Sequence, residues 1–457
     1  MNFPKKSFLT ALFFTILFAT VSSAATKEWT LAVFLNADNN LDRFGAADEV
    51  EMSKVGSNAN LNIVTLIDRE MGPAQINYIE KDKITKIKDM GELDMGDYKV
   101  FVNFVKFVKK NYPAKHYAFV FWNHGSGWKN KKEAASVCKG ISYDDSTHNH
   151  ISTNQLTTAL SQAKEIIGKN IDVLCFDACL MQMIEVAYAV RDSVDYMVAS
   201  EETEPGKGAP YTEILQGFKK NMTAKEFSVN WVNAYGDSYN GGSQGTALST
   251  LSALDMSKLG KIVDAINGFA KSAMTKDYSR TFRQANVFVQ KYAYPDNVDI
   301  VHFMQLVKEK VKGDIALVTA IDKVISSVKE AIVCNRWNTE KAKNSNGLAI
   351  WFPTSYLIPW VYKDLAFAKD SMWDEMLKRL GEYAFIERSL EEVRHGSMAT
   401  LIKLVSDAKR DPKNPLYRMF LSKLNYLADV EKAIPADSLE QFEELRAKLK
   451  EVLQKKK

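Results

Sequence analysis

The chain has 457 residues, of which 46% are hydrophobic and 25% charged, and its formal net charge is +4 at pH 7. A chain of this length is too long to fold around one small hydrophobic core, and it predicts two or three folded units. The composition excludes a disordered or low-complexity chain, and the nearly balanced charge provides no concentrated basic face for nucleic acid.

The first residues have the pattern of a secretory signal peptide, which we assign to residues 1–24. Lys5 and Lys6 form a basic start, an apolar run covers Phe8 to Val21, and small residues follow at Ser22 to Ala25. The apolar run is shorter than the roughly 18 to 20 residues that span a bilayer. No cysteine follows it closely, which argues against a lipid anchor. The sequence therefore predicts a secreted or periplasmic protein with no membrane span.

Four cysteines would enter this oxidising compartment: Cys138, Cys175, Cys179 and Cys334. They could pair in three ways, so a structural disulfide is the alternative to a functional role for Cys179. The chain is large enough to fold without disulfides, and the spacings fit no disulfide framework. Cys175 lies within an apolar run and is expected to be a buried small side chain.

Apolar runs alternate with amphipathic stretches, which predicts an α/β fold with a mostly parallel central sheet flanked by helices. Strands are predicted at 29–36, 61–66, 117–122, 171–177, 194–199 and 347–352, a hairpin around 75–87, and helices at 97–110, 153–167 and 180–191. We divide the mature chain into a main domain at 25–384 and a helical region at 385–457. The main domain contains an exposed loop at 129–152 and a largely helical insertion at 212–340.

The polar stretch after the first strand contains part of a calcium-loop pattern. Asp38, Asn40, Asp42 and Glu49 stand at its positions 1, 3, 5 and 12, but Arg43 occupies the position that requires glycine. An EF-hand is therefore unsupported, and the stretch is expected to cap the following helix. No metal site is predicted elsewhere, because His148, His150 and Cys138 lack a zinc-ligand spacing.

Two strands end in reactive side chains, which is the main functional signal in the sequence. One strand breaks into His124 and the other into Cys179. Carboxyl ends of parallel strands share one edge of a sheet, so a thiol and its base could meet there. The backbone N–H groups of Gly125 and Cys179 could stabilise an oxyanion, and a helix starting at Leu180 would lower the thiol pKa.

Competing motifs are weak. Of six histidines, His124 alone follows a strongly apolar strand, although taken by itself it would more often be structural. Ser238 stands in a fragment of a lipase-like block, but the G-x-S-x-G elbow is absent. The chain contains no phosphate-binding loop and no G-x-G-x-x-G motif, so nucleotide chemistry has no support.

Five blocks together resemble the clostripain family of secreted cysteine peptidases, which have a caspase-like α/β fold. The blocks are AVFLNADNNLD, FWNHGSGW, FDACLM, VASEETEPGKGAPY and NGLAIWFP, and the resemblance covers Trp29 to Pro353. It implies a Cys179/His124 dyad and cleavage of peptides after Lys or Arg. It also implies a monomer, a zymogen cut in the loop between His and Cys, and calcium dependence in some relatives.

The resemblance assigns roles to further residues. Asp177 fits the acidic position of the primary pocket, with a helix cap as the alternative role. Some relatives carry another acid where this chain has Lys207, and Glu201, Glu202 and Glu204 are near enough in sequence to compensate. The bond between Lys139 and Gly140 is the expected processing site, with Lys129, Lys131 and Lys132 as alternatives. A non-catalytic binding protein on the same fold is the second functional hypothesis.

Overall fold

The computed structural model describes residues 26–128, 140–353, 355–429 and 431–454. The assigned signal peptide, Cys138 and Lys139 lie outside this set. Within it, no helix combines the length and apolarity needed to cross a membrane.

The strands are β1 Lys27–Ala37, β2 Leu61–Arg69, β3 Ala74–Glu80, β4 Lys83–Gly91, β5 Ala114–Trp122, β6 Gly140–Asp144, β7 Asn149–Ser152, β8 Ile171–Asp177, β9 Val194–Ala199, β10 Asn240–Gly242, β11 Gly245–Thr246, β12 Ser249–Asp255, β13 Asn297–Asp299, β14 Ile332–Asn338 and β15 Ala349–Trp351. The α-helices are α1 Asp42–Ser53, α2 Tyr98–Asn111, α3 Thr153–Ile167, α4 Ile184–Val190, α5 Tyr211–Gln216, α6 Ala224–Ser238, α7 Leu259–Ala273, α8 Ser279–Phe288, α9 Ile300–Lys310, α10 Ile315–Ala331, α11 Ala366–Asp370, α12 Trp373–Arg394, α13 Ala399–Arg410, α14 Pro415–Asp429 and α15 Leu439–Gln454.

A nine-stranded sheet forms the centre of the protein, in the order β14-β12-β9-β8-β5-β1-β2-β3-β4. Its middle strands, from β9 to β2, run parallel, whereas the pairs at both edges are antiparallel. This confirms the predicted α/β class with a mostly parallel sheet. The carboxyl ends of the parallel strands therefore lie along one edge.

The central strands are apolar on both faces because each face is covered by helices. In β5, Phe119 and Phe121 pack into one core, while Val120 packs into the core on the other face. Such continuous runs are typical of buried parallel strands. The same alternation in β8 places Cys175 and Asp177 toward one face of the sheet.

The segment 212–340, predicted as a largely helical insertion, contributes strands to the central sheet. Besides helices α6 to α10 it contains two strands of the central sheet: β12 pairs antiparallel with β9, and β14 pairs antiparallel with β12. The sequence did not reveal these strands because β12 reads STLSALD, where small polar residues replace the expected apolar run. The predicted strand at 347–352 is the short β15, which pairs with β13 outside the main sheet.

The proposed domain boundary near residue 384 falls inside α12. The first turns of this helix bury Trp373 and Leu377 in the main core, and its last turns bury Ile386 and Val393 in a separate core. Helices α13, α14 and α15 complete that second core. The apolar stripe of α15 is docked there through Phe442, Leu449 and their neighbours.

Candidate active site

Neighbouring parallel strands place His124 and Cys179 at the same edge of the sheet. Trp122 in β5 stands opposite Asp177 in β8, and the Asn123 N–H donates to the Asp177 carbonyl at 3.2 Å. His124 and Cys179 each follow two residues after this matched pair. The two side chains thus leave adjacent strand ends, from positions 55 residues apart in sequence.

Gly125 allows the two strand-end segments to touch. A Cβ atom at Gly125 would lie 2.4 Å from the Cys179 carbonyl oxygen and 3.1 Å from the Ala178 Cβ. Gly125 also faces Ile141 of β6, and the Ser126 N–H donates to the Gly140 carbonyl at 3.1 Å. In this antiparallel pattern the Gly125 N–H points away from β6. It is therefore free to act as an oxyanion donor.

His124 is partly buried and has one side-chain partner. Its Nε2 lies 2.6 Å from Asn40 Oδ1. Burial lowers the pKa of His124, and Asp145 partly opposes this effect. The imidazole is therefore neutral near pH 7, as a general base must be before it accepts a proton.

Cys179 is a partly buried, free thiol. Burial raises its pKa, while the Glu204 N–H, which donates to Sγ at 3.3 Å, acts in the opposite direction. The resting site therefore holds a thiol and a neutral imidazole. Attack by sulfur requires that the proton move to the base during the step.

The predicted helix start at Leu180 is wrong. Leu180 has φ +64°, in the left-handed region, and its N–H donates to the Glu202 carbonyl at 3.1 Å. A residue in that conformation cannot begin a right-handed helix. Helix α4 begins at Ile184 and has seven residues. Its dipole consequently does not act on the Cys179 sulfur in the way the sequence suggested.

Asp177 and Glu204 form a pair of carboxyl groups beside Cys179. Asp177 accepts hydrogen bonds from the Ala209 N–H at 3.1 Å and the Tyr211 hydroxyl at 3.0 Å. Burial raises both carboxyl pKa values, and the Asp177 charge raises that of Glu204 further. The charge of Asp177 thus favours the protonated form of Glu204. Glu204 Oε1 is buried and has no hydrogen-bond partner among the described residues.

Polar groups surround this pair. The Tyr239 hydroxyl and Gln244 Nε2 both donate to the Gly208 carbonyl, at 2.8 and 3.1 Å. A Cβ atom at Gly208, where φ is +61°, would lie 2.7 Å from Asp177 Oδ1. Within the described residues, the Tyr235 hydroxyl and Gln244 Oε1 have no partner. These groups form an enclosure around the carboxyl pair. It is rich in oxygen atoms that accept hydrogen bonds or attract positive charge.

A third carboxyl group adds to this charge. Asp48 accepts from Trp122 Nε1 at 2.7 Å, and burial followed by the Asp177 charge raises its pKa. Among the described residues, no lysine or arginine is one of the main groups that shift the pKa values of Asp48, Asp177 and Glu204. Buried acids without a cationic partner are costly, unless a ligand supplies that partner.

Glu201 and Glu202, expected as pocket acids, have structural contacts. The Glu201 carboxylate accepts from the Tyr292 hydroxyl at 2.7 Å and the Gly347 N–H at 3.1 Å. The Glu202 carboxylate accepts from the N–H of Ala293 at 3.0 Å. Both therefore anchor the loop after β9. The sequence grouped Glu204 with these two acids but could not single it out, because all three lie in the same acidic run.

Lys207 is exposed on the same loop and takes no part in the enclosure of the carboxyl pair. Of the two residues at the proposed processing site, only Gly140 lies within the described ranges. Gly140 is buried as the first residue of β6, and its N–H donates to Ser126 Oγ at 3.3 Å, whereas Lys139 lies outside the described residues.

The alternative sites find little support. Ser238 is buried at the end of α6, and its hydroxyl donates to the Tyr235 carbonyl at 2.8 Å, so it is not an accessible nucleophile. His150 stacks on Tyr143 with ring centroids 5.3 Å apart. Throughout the described ranges, no three His, Cys, Asp or Glu side chains are placed to hold one metal ion.

The fold is a mixed α/β architecture in which a histidine and a cysteine follow adjacent parallel strands. The family model of clostripain matches residues 33–380, and the chain belongs to the clostripain family. Clostripain of Hathewaya histolytica is 27% identical over 230 residues, which are 42% of this chain and 42% of clostripain. The match thus spans less than half the length of that relative.

Solved structures of C11 proteases share the fold. A secreted C11 cysteine protease from Bacteroides thetaiotaomicron, in complex with an irreversible peptide inhibitor, superposes with a TM-score of 0.61 at 21% identity. An inactive zymogen C11 protease from Parabacteroides distasonis gives 0.59 at 20% identity. Each covers 76% of this chain, and the chain covers 99% and 98% of them. At these identities the likeness shows the fold alone.

Proposed function

We propose that this protein is a secreted cysteine endopeptidase that cleaves peptide bonds after lysine or arginine. The observation that carries the proposal is the pair of buried carboxyl groups of Asp177 and Glu204, which lies beside Cys179 and has no cationic partner among the described residues. A lysine or arginine side chain would supply the missing charge and donate to the free Glu204 Oε1.

The proposed reaction uses Cys179 and His124. His124 takes the proton from Sγ as the sulfur attacks the scissile carbonyl carbon, and the N–H groups of Gly125 and Cys179 stabilise the resulting oxyanion. His124 then gives its proton to the leaving amine, which leaves a thioester on Cys179. A water molecule, deprotonated by His124, hydrolyses the thioester and restores the thiol.

We further propose activation by autoproteolysis in the segment that joins Trp128 to Gly140. The support is its position, because Ile141 faces Gly125, which contacts the Cys179 carbonyl. Lys139 is our first choice for the cleaved residue. Since Gly140 is buried in β6, this cut requires local release of the hairpin. Lys129, Lys131 and Lys132 are the alternative cleaved residues.

Secretion through cleavage of residues 1–24 and action as a monomer complete the proposal. The proposed reaction requires no cofactor, and calcium dependence is a separate expectation from the resemblance to the family. Activity measured with and without EGTA tests this part.

The test compares fluorogenic peptides that end in Lys, Arg or norleucine at the cleaved position. We expect turnover of the basic peptides, its loss in Cys179→Ala, and its retention in Cys334→Ala, which removes another partly exposed free thiol. Intact-mass analysis of the same proteins should show self-cleavage in wild type and none in Cys179→Ala. Turnover that survives Cys179→Ala would exclude the proposed nucleophile.

A non-catalytic binding protein is the second candidate. It is favoured if wild type binds basic peptides but cleaves none, even after limited proteolysis of the segment between residues 129 and 139. In that case Glu204→Gln would weaken peptide binding, whereas Cys179→Ala would leave it unchanged.

A further inference from the structure

We infer that Asn40 is a positioning residue for His124, holding the ring so that Nδ1 faces the reaction as the base. The inference deepens the proposed function and rests on it for its catalytic consequence. Its geometric part concerns which ring nitrogen carries the hydrogen.

The contact between Asn40 and His124 selects one form of the imidazole. Asn40 Oδ1 lies 2.6 Å from His124 Nε2, and an amide oxygen only accepts hydrogen bonds. Nε2 therefore donates and carries the hydrogen. A neutral ring has a single N–H, so the lone pair resides on Nδ1, the nitrogen left to accept the proton of Cys179.

Asn40 does not serve the helix that follows it. Helix α1 has Leu41 as its N-cap residue and lacks a side-chain cap, so the predicted capping role of this stretch is wrong for Asn40. The neighbouring Asn39 makes the hydrogen bonds that hold this turn. Its Oδ1 accepts from the Leu41 N–H at 2.9 Å, and its Nδ2 donates to the Tyr143 carbonyl at 3.0 Å. The contact with His124 is thus the one side-chain role that the described residues show for Asn40.

The turn that carries Asn40 is tied to the segment that carries His124. Asn123 Nδ2 donates to the Asn36 carbonyl at 2.7 Å and to the Tyr143 carbonyl at 3.0 Å. The Tyr143 carbonyl also accepts from Asn39. This one carbonyl is therefore hydrogen-bonded to the segment after β1 and to the segment after β5. Asn40 and His124 are therefore held at a fixed separation by their immediate neighbours.

The orientation of the His124 ring matters because of the protonation states of His124 and Cys179 before the reaction. Burial favours a neutral His124 and a protonated Cys179, so the proton moves only during attack. A ring with its hydrogen on Nδ1 could not take that proton. As imidazolium forms, Nε2–H becomes a stronger donor to Asn40 Oδ1, which stabilises the charge without a permanent anion beside the base.

The test uses two substitutions of the same size as asparagine. Asn40→Leu removes the acceptor, and Asn40→Asp keeps an acceptor but adds a negative charge. The matched control is Asn58→Asp, which makes the same charge change at an exposed turn before β2, where the residue accepts from the N–H groups of Asn60 and Leu61. Thermal unfolding establishes that each variant is folded.

Kinetics supply the first readout. Asn40→Leu should lower kcat about 10- to 100-fold, part of what a general base contributes, with KM within about twofold. Asn40→Asp should keep most of kcat and move the acidic limb of its pH profile upward by about one unit or more, because the carboxylate stabilises imidazolium. Asn58→Asp should leave both unchanged. Wild-type kcat in Asn40→Leu, or an unmoved acidic limb in Asn40→Asp, would overturn the inference.

Ring ¹⁵N spectra supply a readout that needs no turnover. The His124 signals, identified by their loss in His124→Ala, should show hydrogen on Nε2 at pH 8 in wild type and a mixture of tautomers in Asn40→Leu. Hydrogen on Nδ1 in wild type refutes the inference. If wild type cleaves no peptide, the proposed function fails, and these spectra still decide the role of Asn40.

Discussion

At the scale of single residues, the pair of Asp177 and Glu204 has a cost in the free protein. Burial raises both carboxyl pKa values, and one proton keeps the pair from carrying two charges. A basic side chain that enters the enclosure would displace this proton. Binding of lysine or arginine is thereby linked to proton release from Glu204.

Glu204→Gln tests the pair directly. Glutamine resembles protonated Glu204 and can still donate to Asp177, so the variant should fold normally. It lacks the second charge, so we expect kcat/KM for Lys and Arg peptides to fall about 100-fold, as for loss of one partner of a buried charged pair. Hydrolysis of the norleucine peptide should change by less than about threefold, as measured by initial rates.

Two neighbours provide the controls for this substitution. Glu202→Gln keeps an acceptor for the Ala293 N–H, and Lys207→Ala alters an exposed side chain outside the enclosure. Neither should change the preference for basic over neutral peptides. A loss of preference in Glu202→Gln equal to that in Glu204→Gln would show that the wrong acid had been assigned.

His124 and Cys179 could be proposed from sequence because each follows an apolar strand, and Asp177 because the resemblance to the clostripain family assigned it a role. Asn40 and Glu204 could not be singled out, because their roles depend on how two loops turn after β1 and β9. Asn40 has two polar neighbours of similar character, and Glu204 follows two other acids. Only the contacts with His124 and Asp177 distinguish them.

At the scale of elements, the separation of the segments after β5 and β8 depends on Gly125. Gly125→Ala would place a methyl group 2.4 Å from the Cys179 carbonyl oxygen, so the segments must move apart. Misplacement of this order lowers rates about 100-fold or more. We therefore expect a large fall in kcat/KM with a cooperative unfolding transition, measured by peptide hydrolysis and calorimetry.

Gly268→Ala is the matched control for Gly125→Ala. Gly268 lies in α7, and a Cβ atom added there would meet no other atom within 4 Å, so alanine should stabilise the helix by about 0.5 to 1 kcal/mol. Its activity should equal that of wild type. Full activity in Gly125→Ala would mean that close contact between the two strand ends is not needed for the reaction.

At the scale of the whole molecule, several buried acids make stability depend on pH. Burial raises the pKa of Asp68 to about 8, of Glu185 to about 7 and of Asp299 to about 6. The unfolded chain binds fewer protons than the folded one between about pH 4, the ordinary carboxyl pKa, and these values. Stability is therefore lost as pH rises through this window.

We expect Tm, measured in EGTA, to be higher at about pH 5.5 than at about pH 8.5, on either side of this window. Glu185→Gln should reduce the fall, because glutamine can accept from the Trp351 N–H and the Tyr362 hydroxyl without titrating. Glu226→Gln, at an exposed capping box, should leave the fall unchanged. A Tm that rises between these pH values would contradict the expectation.

The sequence revealed most of the central sheet, since β1, β2, β5, β8 and β9 are long and apolar. It did not reveal β12, whose small and polar residues are buried under α6, or β14, an edge strand that is mostly half-buried. It also placed the boundary of the C-terminal helices near residue 384, where apolar periodicity alone could not show that α12 belongs to both cores.

The order of strands in the sheet governs what a cut between residues 129 and 139 would produce. β5 precedes the cut and β8 follows it, yet they pair in the middle of the sheet, with β1 on the other side of β5. The two pieces would share the hydrophobic cores on both faces of the sheet, and one would contribute His124 and the other Cys179 to the active site. The cleaved protein would therefore be an obligate two-chain enzyme, in which neither chain could fold or act without the other.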